Sequence, residues 1–324
     1  MNPKVSVIVP LYNSSKYITK CCRSLFEQTL DSIQFIFVDD GSNDGSLQIV
    51  RETLLEYPER NEHVTFIRHV ENRGVGAARH EGLKAAIGDF IIHCDSDDWV
   101  EPNWLESLYS TIKEYDADIS ICRAIIDGHP VNYNPQEVEI WNHEQAIGKF
   151  IEHKELNGCL PMKLIKYEYF KNILFEPKMS IYEDGLIIWQ ILQKTQKVVK
   201  RNIGTYHYEM ISNSLTHIKQ NEKRLWSAYY LWDRVVFDCQ NNISIKNFQN
   251  KAIERRESCI IDELSLMVTQ NLKSDYYFNK IRKTIINGGV KGILKLPNWK
   301  KRFLSIGAII SIPFMQKTYK FLNY

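Results

Sequence analysis

Three carboxylates within four residues, Asp95, Asp97 and Asp98, follow directly on a short apolar run, Phe90 to Cys94. A run of that length suits a buried strand better than a helix. Like carboxylates at close range repel and raise each other's pKa, so the charge needs an outlet in water, a cation, or both. Ligands of open α/β sheets sit just beyond the carboxyl ends of strands. Asp95-x-Asp97 therefore reads as a site for a hard divalent cation that would also meet phosphate oxygens. The plainer alternative is a solvated acidic turn, with Asp98 capping a helix that contains Trp104 and Leu105. Two further polar clusters follow apolar runs: Pro10-Leu11-Tyr12-Asn13 and Asp39-Asp40-Gly41-Ser42. Asp40 is an acceptor suited to a base or ribose donor, and Gly41 permits close backbone approach or a positive φ. A turn with a helix cap is the alternative there. Asn72-Arg73-Gly74-Val75-Gly76-Ala77-Ala78-Arg79 carries a G-x-G pattern. A dinucleotide fingerprint needs a small residue where Arg79 stands, and needs glycines after the first strand, which ends instead in Pro10-Leu11-Tyr12. A guanidinium facing a nucleoside diphosphate fits Arg79 better, with a surface ion pair as the alternative.

These residues need elements to bring them together. Val5 to Val9 is a β-branched run that predicts a first buried strand. Ser14 or Ser15 is placed to cap a helix with Ile18, Cys22, Leu25 and Phe26 on one face. Phe35 to Val38 predicts a second strand, and Asp44 a cap for a helix with Leu47, Val50 and Leu54. A third strand is expected over Val64 to Ile67, a small-residue helix over Gly74 to Ala86, and a fourth strand over Phe90 to Cys94. Trp104, Leu105, Leu108, Tyr109 and Ile112 form a helical stripe, and Ile119 to Cys122 a further strand. Regular alternation of this kind implies right-handed crossovers and a largely parallel sheet with helices on both faces. The three polar clusters would then share one sheet edge and converge on one cleft. Beyond residue 122 the alternation breaks. Residues 127–142 read as loop or hairpin, helical stripes return near Glu144–Glu152 and Leu186–Leu192, and the chain after about residue 220 reads as mainly helical, with Leu225, Tyr229 and Trp232 on one face.

The chain has 324 residues, 44% hydrophobic and 25% charged, with a formal net charge of +2. That is ordinary globular composition and carries no polycation character for nucleic acid. Seven cysteines occur without a C-x-x-C pair, which predicts reduced thiols, no disulfide framework and no thiolate zinc site. Met1-Asn2-Pro3-Lys4 leads straight into a strand, so no secretory signal is expected, and no apolar run reaches the roughly 18 residues of a transmembrane helix. From Tyr276 onward there are ten Lys and Arg and no Asp or Glu. Phe303 to Met315 is apolar between basic flanks. It could lie in a membrane surface, or form a helix packed on the protein or a dimer contact. A cytoplasmic location, with peripheral contact at the inner membrane face, is the expectation.

Taken together in order, Val5-Ser6-Val7-Ile8-Val9-Pro10-Leu11-Tyr12-Asn13, Val38-Asp39-Asp40-Gly41-Ser42-Asn43-Asp44-Gly45-Ser46, Asn72 to Arg79 and Asp95-Ser96-Asp97-Asp98 resemble a family 2 glycosyltransferase of the GT-A fold. The likeness is close over about the first 105 residues and looser to about residue 215. It implies a catalytic domain over 1–215, with a nucleotide-binding half to 122 and an acceptor half from 123, and a helical C-terminal region over 216–324. It also implies transfer of a sugar, with inversion, from a nucleotide-diphosphate donor to a saccharide or lipid-linked acceptor, in polysaccharide or glycoconjugate synthesis. Pro10, Tyr12 and Asp40 would line the base pocket, and Asn13, Gly41, Asn72 and Arg79 would also contact the nucleotide sugar. Asp95, Ser96 and Asp97 would meet the donor, and Asp97, with Asp95, a Mn²⁺ or Mg²⁺ ion. Asp184, in Ile181-Tyr182-Glu183-Asp184-Gly185, stands where such enzymes carry the general base. An inverting displacement needs a carboxylate for the acceptor proton. A helix cap at Glu183 and Asp184 is compatible with that role. His207 could face the metal or phosphates, or be an edge-strand histidine. Two competing readings are a nucleotidyltransferase making nucleotide sugars, which should carry a glycine- and lysine-rich loop that Pro10-Leu11-Tyr12-Asn13-Ser14 lacks, and an inactive nucleotide-sugar-binding protein.

Overall fold

A computed structural model describes residues 2–130, 137–153, 156–179, 181–211 and 222–269. The basic tail and its apolar stretch, Phe303–Met315, lie outside the described residues. The chain divides into two compact units. The first comprises Met1–Ile147, Asn157–Pro177 and Asp184–Ser214, the second Gly148–Leu156, Lys178–Glu183 and Leu215–Tyr324.

The first unit begins with β1 (Val5–Leu11), α1 (Ile18–Phe26), β2 (Ile33–Asp39), α2 (Ser46–Leu54), β3 (Val64–Arg68), α3 (Val75–Ala85) and β4 (Phe90–His93). β1, β2 and β4 are buried along their whole length, as uninterrupted apolar and β-branched runs require. β3, β2, β1 and β4 lie side by side and parallel. β5 (Trp99–Val100), α4 (Trp104–Glu114), β6 (Ile119–Ile126), β7 (His129–Pro130), β8 (Val138–Asn142), α5 (His143–Glu152), β9 (Lys163–Lys166), α6 (Glu183–Leu192) and β10 (Lys197–Tyr208) follow.

Here the sheet departs from the parallel expectation. β9 enters antiparallel between β4 and β6, and β6 pairs in parallel only with β10. β5 and β8 share the far edge of β10, both antiparallel, so the sheet is mixed. β9 reads Lys163-Leu164-Ile165-Lys166, too short for its period to show. The stretch over 127–142, expected as loop or hairpin, holds β7 and β8 at its described ends.

Expected caps are also reassigned. α1 has Tyr17 as N-cap with no side-chain cap bond. The Ser14 carbonyl accepts the Tyr17 and Ile18 amides, while its hydroxyl turns to Ser96 Oγ at 2.7 Å. At α2 the N-cap is Gly45, one residue after Asp44, whose carboxylate takes the Ser46 amide at 3.0 Å. α4 starts after Asn103, without help from Asp98.

α3 can lie close on the sheet because Gly82 has no side chain. A Cβ there would stand 2.5 Å from Ile8 Cγ2 and 3.2 Å from Val38 Cγ2. In the second unit, α7 (Glu222–Asn241) and α8 (Gln249–Thr269) bury Leu225, Trp232, Val235, Ala252 and Ile260. Glu263 there receives Tyr182 Oη at 2.6 Å and pairs with Arg224 Nε at 3.2 Å. No helix among the described residues is long and apolar enough to cross a membrane.

Gly82→Ala should lower stability by about 1–3 kcal/mol through overpacking, although alanine is the better helix former. Urea denaturation checks it. An unchanged midpoint would show that α3 can move off β1 without cost.

Candidate active site

Strand register brings distant segments to one edge. Leu11 lies beside Asp39, and Ile8 beside His93. The Asp40 amide bonds the Leu11 carbonyl at 2.9 Å, and the Cys94 amide bonds the Ile8 carbonyl at 3.0 Å. Residues 11–13, 39–42 and 94–98 therefore leave the sheet together. Hydroxyls then tie them: Asn13 N–H donates to Ser42 Oγ at 3.0 Å, and Ser14 and Ser96 share a hydrogen bond.

The site is centred on Arg79. Its side chain is only 4% exposed, yet it reaches two carboxylates. Nη2 lies 2.8 Å from Asp95 Oδ1, and Nη1 lies 2.5 Å from Asp184 Oδ1. Those carboxylates face outward, 30% and 19% exposed. Asp184, in the first turn of α6, also accepts the Leu160 amide at 3.1 Å through Oδ2. Asp95 at the end of β4 and Asp184 are thus brought together by one buried guanidinium, through a charge-assisted hydrogen bond to Asp95 and an ion pair to Asp184.

The remaining acids have separate outlets. Asp98 is buried. It accepts the Tyr206 hydroxyl at 2.5 Å and the Glu209 amide at 3.0 Å, and Tyr206 Oη in turn accepts the Asp95 amide at 3.2 Å. Burial, then the charges of Asp95 and Asp97, raise its carboxyl pKa. Asp97 is half-buried, and its pKa is pushed up to about 6 by burial first and then by Asp95. Among the described residues no group of three His, Cys, Asp or Glu converges as a complete metal cage. Asp95 and Asp97, two residues apart and both partly exposed, do fit a hard cation that takes its other oxygens from phosphate and water.

The nucleotide-side residues are placed as follows. Pro10 is buried in β1, and Tyr12 beyond it is 49% exposed. Asn13 has φ +50 and accepts the Asn43 amide at 3.1 Å. Gly41 has φ +78, and a Cβ there would lie 2.8 Å from the Glu71 carbonyl carbon and 2.9 Å from Asn72 N. Close passage of the 71–72 backbone thus requires glycine. Asn72 itself is exposed. Asp40 is buried and spends its carboxylate internally: Oδ1 takes the Arg73 amide at 2.9 Å and His69 Nδ1 at 2.7 Å, and Oδ2 takes the Gly74 amide at 2.7 Å. It holds the turn into α3, and so the start of the helix that carries Arg79. His207 stacks on Trp99 with ring centroids 3.5 Å apart, and its Nε2 lies 3.3 Å from Glu101 Oε1. Sequence reasoning missed Tyr206 and the Leu160 amide. Tyr206 was within reach, because side chains alternate along β10 and an outward His207 turns Tyr206 inward. Nothing in the sequence marks Leu160, since any residue but proline offers that amide.

Asp40→Ala should cost about 1–3 kcal/mol, as buried donors lose their acceptor. Chemical denaturation reads it. Wild-type stability in that variant would mean the turn at residues 71–74 holds itself.

Comparison with known proteins bears on the family and the fold. The family model described as "Glycosyl transferase family 2" matches residues 6–174. Glycosyltransferase GlyA of Streptococcus pneumoniae serotype 4 is 29% identical over 235 residues, covering 67% of this chain and 32% of that protein, so the chain spans about a third of its length. The crystal structure of S. aureus TarS 1-349 in complex with UDP-GlcNAc is similar with a TM-score of 0.72 at 20% identity, over 99% of this chain and 91% of that one. The mannosyltransferase PcManGT from Pyrobaculum calidifontis, in complex with GDP-Man and Mn²⁺, has a TM-score of 0.57 at 13% identity, over 100% and 87% of the two chains. A GT-A-like α/β fold, a site of carboxylates and arginine at its strand ends, and a family match over more than half the chain lead to one assignment: the chain belongs to glycosyl transferase family 2.

Proposed function

We propose that the chain transfers a sugar from a nucleotide-diphosphate donor to a hydroxyl of a saccharide or lipid-linked acceptor, with inversion at the anomeric carbon. Such chemistry builds cell-surface polysaccharide and glycoconjugates. The observation that carries the reading is the buried Arg79 joining Asp95, on the donor side, to Asp184. In the proposed step Asp184 takes the acceptor hydroxyl's proton as the oxygen attacks C1. The bond from C1 to the phosphate oxygen breaks, and the nucleoside diphosphate leaves on the opposite face. Arg79 holds the two acidic groups in register, which is a positioning effect on the attacking geometry. Asp97 and Asp95 would hold the Mn²⁺ or Mg²⁺ ion, which when bound offsets charge on the departing diphosphate. Pro10, Tyr12, Asn13, Gly41 and Ser96 would border the nucleotide, and Asp40 would act on it mainly through the turn it holds.

The reading is tested by release of nucleoside diphosphate from UDP-GlcNAc, UDP-glucose, UDP-galactose and GDP-mannose with Mn²⁺, offered free sugars as acceptors. No release from any donor, with folded protein and with membrane-extracted lipid acceptors added, would count against it. Asp97→Ala should lose the metal-dependent part of UDP or GDP binding in calorimetry. Equal affinity with and without chelator in the wild type would remove the cation from the site.

Asp184→Asn keeps the shape of the side chain but cannot accept the proton. Its kcat should fall by ~10²–10⁴, with nucleotide affinity near wild type, because the base touches the acceptor rather than the nucleotide. Glu183→Gln should have the smaller effect. A folded Asp184→Asn enzyme with near-normal turnover would move the base elsewhere.

A further inference from the structure

Lys163, the first residue of β9, is an amine the proposed chemistry does not use. Its side chain is buried, with 3% of the residue exposed. Its hydrogen bonds go to neutral acceptors: Nζ donates to Asn157 Oδ1 at 2.9 Å and to the Cys159 carbonyl at 2.5 Å. An ammonium buried on neutral oxygens is expensive to fold around, and an apolar side chain of the same length would be easier to bury. Its placement matters for a different reason. Asn157 Oδ1 also takes the Cys159 amide at 3.3 Å, so the amine closes residues 157–159 into a compact turn. The next amide in the chain, Leu160 N–H, is the one that donates to Asp184 Oδ2. The other oxygen, Oδ1, meets Arg79. The carboxylate is thus held by an ion pair with a buried guanidinium and oriented by a hydrogen bond from a loop amide.

We propose that Lys163 is a positioning residue for the acceptor-side base: by gripping Asn157 and the Cys159 carbonyl it sets the turn whose Leu160 amide orients Asp184. The proposal rests on the reading of Asp184 as the base. Burial lowers the Lys163 pKa, and Asp184 is among the charges that oppose the shift, which places the amine within the field of that carboxylate.

Lys163→Met keeps length and burial but removes the donors. Four readouts apply to it: the thermal midpoint, hydrogen exchange of the peptide containing Leu160, calorimetric affinity for UDP with Mn²⁺, and nucleoside diphosphate release from a mixture of UDP-GlcNAc, UDP-glucose, UDP-galactose and GDP-mannose. The expected result is a midpoint equal to or above wild type, faster exchange at Leu160, unchanged UDP affinity, and release slowed about 10²-fold, the scale of a misplaced catalytic group. In an Asp184→Asn background the same substitution should cost nothing further, because both act on one carboxylate. A merely structural lysine would instead lower the midpoint. Asn157→Ala, which keeps the lysine, should show the same changes in exchange, UDP affinity and release at smaller size, with a lower midpoint because the buried ammonium loses an acceptor, and serves if Lys163→Met does not fold. Unchanged Leu160 exchange, wild-type release from the folded variant, or an equal fold-loss in both backgrounds would overturn the proposal. Normal release by Asp184→Asn alone would instead overturn the assignment of the base, while hydrogen exchange would still decide whether Lys163 sets the turn.

Discussion

A guanidinium with its side chain 4% exposed cannot stand in a protein interior without carboxylates to meet it, and Arg79 meets two. Asp95 follows β4, and Asp184 lies in the first turn of α6 some ninety residues later along the chain. Neither would be held near the other by its own element. The pairing makes their spacing a property of α3. That helix is placed in turn by Gly82, which lets it approach β1 and β2, and by Asp40, which holds the turn before it. The packing of one helix against the parallel strands β1 and β2 therefore sets the distance between Asp95 and Asp184.

The same economy governs the acidic run after β4. Three carboxylates in four residues cannot all remain charged in one place without partners. Asp95 faces Arg79, and Asp98 turns inward to Tyr206 and the Glu209 amide. Asp97 is left with a pKa raised by burial and by its neighbour. Tyr206 connects two of these solutions, donating a hydrogen bond to Asp98 and accepting one from the amide of Asp95. β10, which enters the sheet last, thus braces the peptide that leads from β4 into the acidic run. Each acid has a different physical task, although the sequence presents them as one cluster.

The parallel half of the sheet and the meeting of residues 10–13, 39–42 and 95–98 were legible from the sequence. Long β-branched runs buried on both faces announce themselves, and glycine with acidic residues after a strand marks its ligand-bearing end. The mixed half was not legible, because a strand as short as Lys163–Lys166 has no readable period and its pairing partners are chosen by the space left between β4 and β6. Local capping rules misplaced Ser14 and Asp98 for a related reason. Both side chains could satisfy a nearby helix amide, but tertiary neighbours, Ser96 and Tyr206, offered better partners than the local chain did.

What the sequence by itself determined is therefore the inventory and its order: which strands are buried, which loops carry acids, and the likeness to family 2 glycosyltransferases. The first two follow from composition and spacing along the chain, and the likeness rests on the motifs themselves. Only the tertiary structure decided which groups touch. Arg79 could have faced a phosphate or a surface acid, and Asp40 a ligand or a backbone turn. Asp184 could have been only a helix cap. A charged side chain pairs with whatever oppositely charged group the packing brings within about 3 Å, and that distance is set by helices and strands far apart in sequence. Residue type specifies what chemistry a side chain can do, and the fold selects the partner with which it does it.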